Sequence, residues 1–159
     1  MKPAAGAAID APENEFKGVI TVSCDGAANK TFDVGFLVNN TYSSAFVGGP
    51  YTIPSQTQGY AEAAMADIKL VATGTGQVDG QSPSIVISGN TDAFNIDNAP
   101  TGVYSLKGSG YPEGTVPASC DFKVTPKAGL APGAYSITIR FNAYKGAGAT
   151  TTVTFIVTP

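Results

Sequence analysis

Cys24 and Cys120 are the only thiols in the 159-residue chain, and the chain contains no histidine. A redox or metal-binding pair needs close spacing such as Cys-x-x-Cys or additional Cys and His ligands, none of which is available here. Cys24 closes the run Ile20-Thr21-Val22-Ser23-Cys24, and Cys120 opens the run Cys120-Asp121-Phe122-Lys123-Val124. Each cysteine shares parity with an apolar set, so both thiols are expected to point into a core. The pattern predicts a structural disulfide, with two buried free thiols as the alternative. Closing so long a loop contributes on the order of 4 kcal/mol in the chain-entropy description. The missing histidine also removes the commonest general base and every Ser-His or Cys-His arrangement. Asp92 and Asp97 lack the alternating spacing of a calcium loop, and no glycine-rich phosphate loop precedes a helix. A carboxylate pair for glycoside chemistry could come only from acidic residues far apart in the chain. The expectation is a protein without catalysis, cofactor or metal.

Two aromatic constellations remain. Residues 34–61 carry no charge, yet they include Tyr42, Phe46, Tyr51 and Tyr60 among Ser, Thr, Asn and Gln. Aromatic faces beside amides and hydroxyls can stack on a sugar and bond its hydroxyls. The competing reading is that these rings fill or cap a sandwich. In Leu130-Ala131-Pro132-Gly133-Ala134-Tyr135 a turn precedes a strand that begins with tyrosine. That order predicts a tyrosine corner built on Leu130, Gly133 and Tyr135, in which the phenol bonds backbone a few residues upstream and fixes a crossing loop. Asn29-Lys30-Thr31 and Asn39-Asn40-Thr41 match the glycosylation sequon at Asn29 and Asn39.

The elements that position these residues are strands. Nineteen Gly and eleven Pro punctuate short runs rich in Val, Ile, Thr, Tyr and Phe along the whole chain. In residues 135–143 the set Tyr135, Ile137, Ile139, Phe141 and Ala143 falls on one face and Ser, Thr, Arg and Asn on the other. Residues 150–157 alternate likewise, with Val153, Phe155 and Val157 inward, and the turn Lys145-Gly146-Ala147-Gly148 between the two runs predicts a hairpin. Earlier strands are predicted at 16–24, 31–38, 67–73, 84–88, 93–96, 103–107 and 119–125, with short pieces near Tyr42 and Tyr51. One short crossover helix is predicted over 60–66, where Ala, Glu and Met cluster. The expected architecture is an all-β, antiparallel sandwich of about nine strands. It occupies residues 16–159 behind a weakly patterned, flexible N-terminal arm at 1–15.

The stretch Phe122-Lys123-Val124-Thr125-Pro126-Lys127-Ala128-Gly129-Leu130 through Phe141, with the closing hairpin, resembles the last strands of immunoglobulin-like repeats in bacterial cell-surface proteins. A fainter likeness joins Ile20-Thr21-Val22-Ser23-Cys24-Asp25-Gly26 and Phe32-Asp33-Val34 to an early strand pair of spore-coat-like and chaperone-usher pilin subunits. Those subunits are completed by a strand from a neighbour, whereas this chain continues through 150–157 and can complete its own sheet. The first resemblance implies an immunoglobulin-like sandwich used as a stalk, adhesin or wall-associated module.

Charge and hydropathy agree with that class. A net charge of -3 disfavours nucleic acid as an electrostatic partner, and no apolar run is long enough to span a bilayer. The first residues lack the apolar core of a signal peptide, so either the protein stays inside or its leader is absent; two cysteines and sparse charge amid abundant Thr, Ser, Asn and Gly favour the exported form. The expected function is an extracellular or cell-surface structural or adhesive protein, with copies of itself or a wall polymer as partner. A filament or pilus subunit assembling by strand exchange is its sharper form. A carbohydrate-binding module and a virion tail or capsid-decoration protein are the alternatives.

Overall fold

The computed structural model describes residues 15–37, 39–110 and 116–159. Most of the predicted arm, the last residue of the 31–38 strand and the segment 111–115 lie outside the described residues. The described residues form twelve strands: β1 (Glu15–Val22), β2 (Lys30–Leu37), β3 (Ser44–Phe46), β4 (Tyr51–Thr52), β5 (Gln56–Thr57), β6 (Ala66–Ala72), β7 (Val78–Gly89), β8 (Phe94–Asp97), β9 (Ser105–Leu106), β10 (Ser119–Pro126), β11 (Gly133–Ala143) and β12 (Ala149–Thr158). One sheet runs β3-β6-β10-β8. The facing sheet runs β4-β12-β11-β7-β9, with β5 also on β12. Pairing is antiparallel except where β4 and β5 lie parallel to β12. This is an all-β, immunoglobulin-like sandwich.

Period-two alternation explains how the sheets face each other. Ile68 and Leu70 of β6, Phe122 and Val124 of β10, and Phe94 of β8 point inward from one layer. Ile137, Ile139 and Phe141 of β11, Val153, Phe155 and Val157 of β12, Val78 of β7 and Leu106 of β9 meet them from the other. Each such side chain stabilises the fold by roughly 1.5–3 kcal/mol relative to leaving it in water. The predicted hairpin of β11 and β12 pairs in register from Gly133 with Val157 to Phe141 with Ala149.

Residues 60–65 form no helix, and Ala66 already opens β6. Helical structure among the described residues is confined to single 3-10 turns at Thr91–Ala93 and Tyr144–Gly146. Six or seven good helix formers cannot offset the cost of nucleating a helix. Here Tyr60 and Ala63 are instead held against the core as an irregular strap.

The second departure concerns β1 and β2. They pair only with each other, from Glu15 with Leu37 to Val22 with Lys30, and form a separate two-stranded sheet. None of its side chains described, at 17–22 and 30–35, belongs to the sandwich core. The two facing sheets are built from β3 onward.

Candidate functional site

The expected disulfide is not formed: both cysteines are free. Cys24 lies in the β1–β2 turn, where its carbonyl accepts from the Ala27 N–H at 3.1 Å and Gly26 takes a φ of +82°. Its thiol is exposed. Cys120 sits in β10 opposite Leu70 and is 2% exposed. Parity with an apolar set placed Cys120 correctly because β10 faces a core. The same reasoning misplaced Cys24 because the apolar face of β1 is not covered by the sandwich. Burial, with a smaller contribution from the neighbouring Asp121 carboxylate, pushes the Cys120 thiol from the ordinary 9.0 up to about 11.

The four aromatic residues singled out as sugar platforms are all half-buried and packed against the core. Tyr42 lies under the β11–β12 turn, with Lys145 Nζ 3.7 Å from its ring centroid, and a methyl on Gly76 would fall 2.5 Å from its Cε1. Phe46 stands in β3 opposite Leu70. The Tyr51 hydroxyl donates to the Val47 carbonyl at 2.6 Å. Tyr60 stacks edge-on against Phe155, centroids 5.5 Å apart, and its hydroxyl donates to the Lys127 carbonyl. The rings of Tyr42 and Tyr60 and the hydroxyls of Tyr51 and Tyr60 are thus already engaged within the chain.

The Tyr135 hydroxyl donates to the Ala131 carbonyl, four residues upstream, at 2.8 Å. Its ring also approaches Gly133, where a Cβ would lie 3.8 Å from the ring edge, and half-buried Leu130 packs on the core nearby. Tyr60 and Tyr135 together tie the loop between β10 and β11, one phenol at Lys127 and the other at Ala131. Burial, reinforced by Tyr135, raises the pKa of Tyr60. Composition around Tyr60 suggested a helix and hid this second clamp. A tyrosine at the end of the uncharged stretch 34–61, a few residues before a strand, was the only signal for it. A third phenol, Tyr104, donates to the Ser119 carbonyl at 2.9 Å, and burial followed by Cys120 and Asp121 raises its pKa.

The surface left without a partner in the fold is apolar. Opposite residues of the β1–β2 ladder share a face, so Ile20 and Phe32, Gly18 and Val34, and Val22 with Lys30 line one side. Phe32 is 57% exposed, Val22 54%, and Val34 is also exposed. Val19, on the other side opposite Asp33, is 65% exposed. Asn29 and Asn39 flank β2 and are both exposed. Among the described residues no three His, Cys, Asp or Glu side chains converge, and no helix is long and apolar enough to cross a membrane. The ion pair of Lys123 with Asp67, 4.0 Å apart, is solvent-exposed and worth little.

The molecule is therefore an immunoglobulin-like sandwich bearing an exposed, apolar-faced hairpin. No protein-family model matches the chain. No curated protein matches it either. Among solved structures it is similar to the cupredoxin domain of amoB from Nitrosocaldus yellowstonii, at 14% identity over 60% of this chain and 55% of that one, with a TM-score of 0.36. It is also similar to SSP-19, an MSP-domain protein like family member in Caenorhabditis elegans, at 19% identity over 66% of this chain and 92% of that one, with a TM-score of 0.39. The chain thus spans little more than half of the cupredoxin domain it matches.

Proposed function

We propose that the protein is a secreted, non-catalytic structural or adhesive module of a microbial surface, and that it assembles with copies of itself by strand exchange. The observation that carries this reading is the β1–β2 hairpin, whose Val22, Phe32 and Val34 remain exposed beside a well-packed sandwich. An apolar face of this kind on an otherwise satisfied fold marks an interaction surface. The sandwich suits a passive, load-bearing part, because β12 is hydrogen-bonded to β11 on one side and to β4 and β5 on the other. Force applied to this closing strand must break both ladders. The resemblance of residues 122–141 to bacterial surface repeats points the same way.

Carbohydrate binding through Tyr42, Phe46, Tyr51 and Tyr60 has less support, since most of these groups already serve the fold. The test is location in the producing cell. Antibody labelling and protease shaving of intact cells are expected to reach the protein, with little left in the soluble cytoplasm. Recovery in the cytoplasmic fraction, inaccessible to protease until lysis, overturns the surface role.

A further inference from the structure

A two-stranded hairpin is marginally stable at best when nothing covers its apolar face. The sandwich carries a matching deficiency. The outer edge of β7 is closed at its start, where Val78 and Asp79 pair with β9 and the Gly80 and Ser84 N–H groups donate to the Tyr104 and Gly102 carbonyls. Beyond Ser84 no strand among the described residues pairs with that edge. The Asn90 N–H donates to the Ser136 carbonyl, and groups alternate along a strand, so Val86 and Ser88 bond to β11 and the N–H and C=O of Ile85 and Ile87 face outward. Residues 80–91 contain no charge, no Lys guards the open stretch, and Ile85 and Ile87 are only half-buried. Such an edge is open to strand addition.

We propose that β2 of one copy adds antiparallel to the open edge of β7 in a second copy, with Val34 beside Ile87 and Phe32 beside Gly89. This register puts the apolar face of the hairpin in line with the inward face of β7 and turns Asp33 outward. It places Phe32 at a concavity of about 340 Å³ lined by Gly89, Asn90, Asp92, Leu130 and Tyr135. It also brings Lys30 next to Asp92, two exposed groups of opposite charge, and leaves no charge facing the uncharged edge. The apolar match holds the strands together, and the charged pair selects the direction. The contact joins two different surfaces, so it closes through reciprocal exchange or propagates along a chain of copies.

The inference rests on the self-assembling module proposed above and specifies its contact. Sedimentation velocity of the full chain across a dilution series tests it. The wild type is expected to associate, while Ile87→Pro, which removes an outward N–H without touching the β11 ladder, and Phe32→Ser are expected to remain monomeric with unchanged thermal unfolding of the sandwich. Should the proline impair folding, Val86→Lys blocks the edge with a charge instead. Lys30→Asp is expected to weaken association severalfold and Lys30→Asp combined with Asp92→Lys to restore it, a rescue that a merely structural role cannot produce. A wild type monomeric at every concentration, or association indifferent to the Ile87, Val86 and Phe32 variants, overturns the contact. Cytoplasmic location with intact, variant-sensitive association overturns the surface role and leaves the contact standing.

Discussion

The two thiols differ enough in environment to be told apart chemically, and that difference tests the placement of β1 against β10. Only the thiolate is nucleophilic. A thiol held at about 11 is ionised at pH 8 in about one molecule per thousand, against roughly one in ten for a thiol titrating at 9.0. Ionisation alone therefore slows Cys120 by about a hundredfold relative to an unhindered thiol, and its 2% exposure adds the need for β10 to open. Alkylation of native protein at pH 8, followed by mass spectrometry, is expected to modify Cys24 first and Cys120 at least two orders of magnitude later. In denaturant without reductant, both are expected to react at one rate. The same shift has a stability consequence with a definite sign. The folded state holds the Cys120 proton more tightly than the unfolded one, so this contribution is complete below about pH 9 and is lost as the pH rises towards about 11. The loss has a ceiling of about 3 kcal/mol, at 1.36 kcal/mol per pH unit. Two native thiols reacting at equal rates, or unfolded unreduced protein titrating with no free thiol, would refute the placement of Cys24 outside the core.

Three further perturbations probe the sandwich. Tyr60→Phe and Tyr135→Phe each remove one hydrogen bond to the β10–β11 loop, and denaturant titration is expected to show a loss of about 1 kcal/mol apiece. Little coupling between them would mean that the loop is not held as a unit. Thr151 Oγ1 is buried without a hydrogen-bond partner, so Thr151→Val, of similar shape, is expected to leave the melting temperature unchanged or raise it; a clear drop would show that the hydroxyl is satisfied in solution. Gly89 has a φ of +100°, and a Cβ there would lie 2.5 Å from the Ser136 carbonyl oxygen. Gly89→Ala is therefore expected to cost more than about 1 kcal/mol and to loosen the β7–β11 ladder, measured as faster amide exchange at Thr138 and Arg140. Wild-type exchange in that variant would show that the backbone yields without strain.

Much of the site was open to sequence reading wherever the signal was local. The Tyr135 corner depends on a turn and a tyrosine only a few residues apart, and its hydrogen bond spans four residues. Tyr60 acts across 67 residues, on a loop that nothing near it in sequence announces. Phe32 and Val34 alternate as regularly as Val153 and Phe155, yet one pair is exposed and the other buried.

Alternation of apolar and polar residues, with glycine and proline between the runs, was enough by itself to establish strands, their apolar faces and the closing hairpin of β11 and β12. These properties belong to a few consecutive residues and obey the two-residue period of an extended chain. Whether an apolar face finds a cover, whether two thiols 96 positions apart meet, and whether a short alanine-rich strap coils were decided by tertiary packing. Period two says that a strand has an apolar side. What lies against that side depends on which segments the whole fold brings together, and here it left Cys24 and the β1–β2 face in solvent while enclosing Cys120.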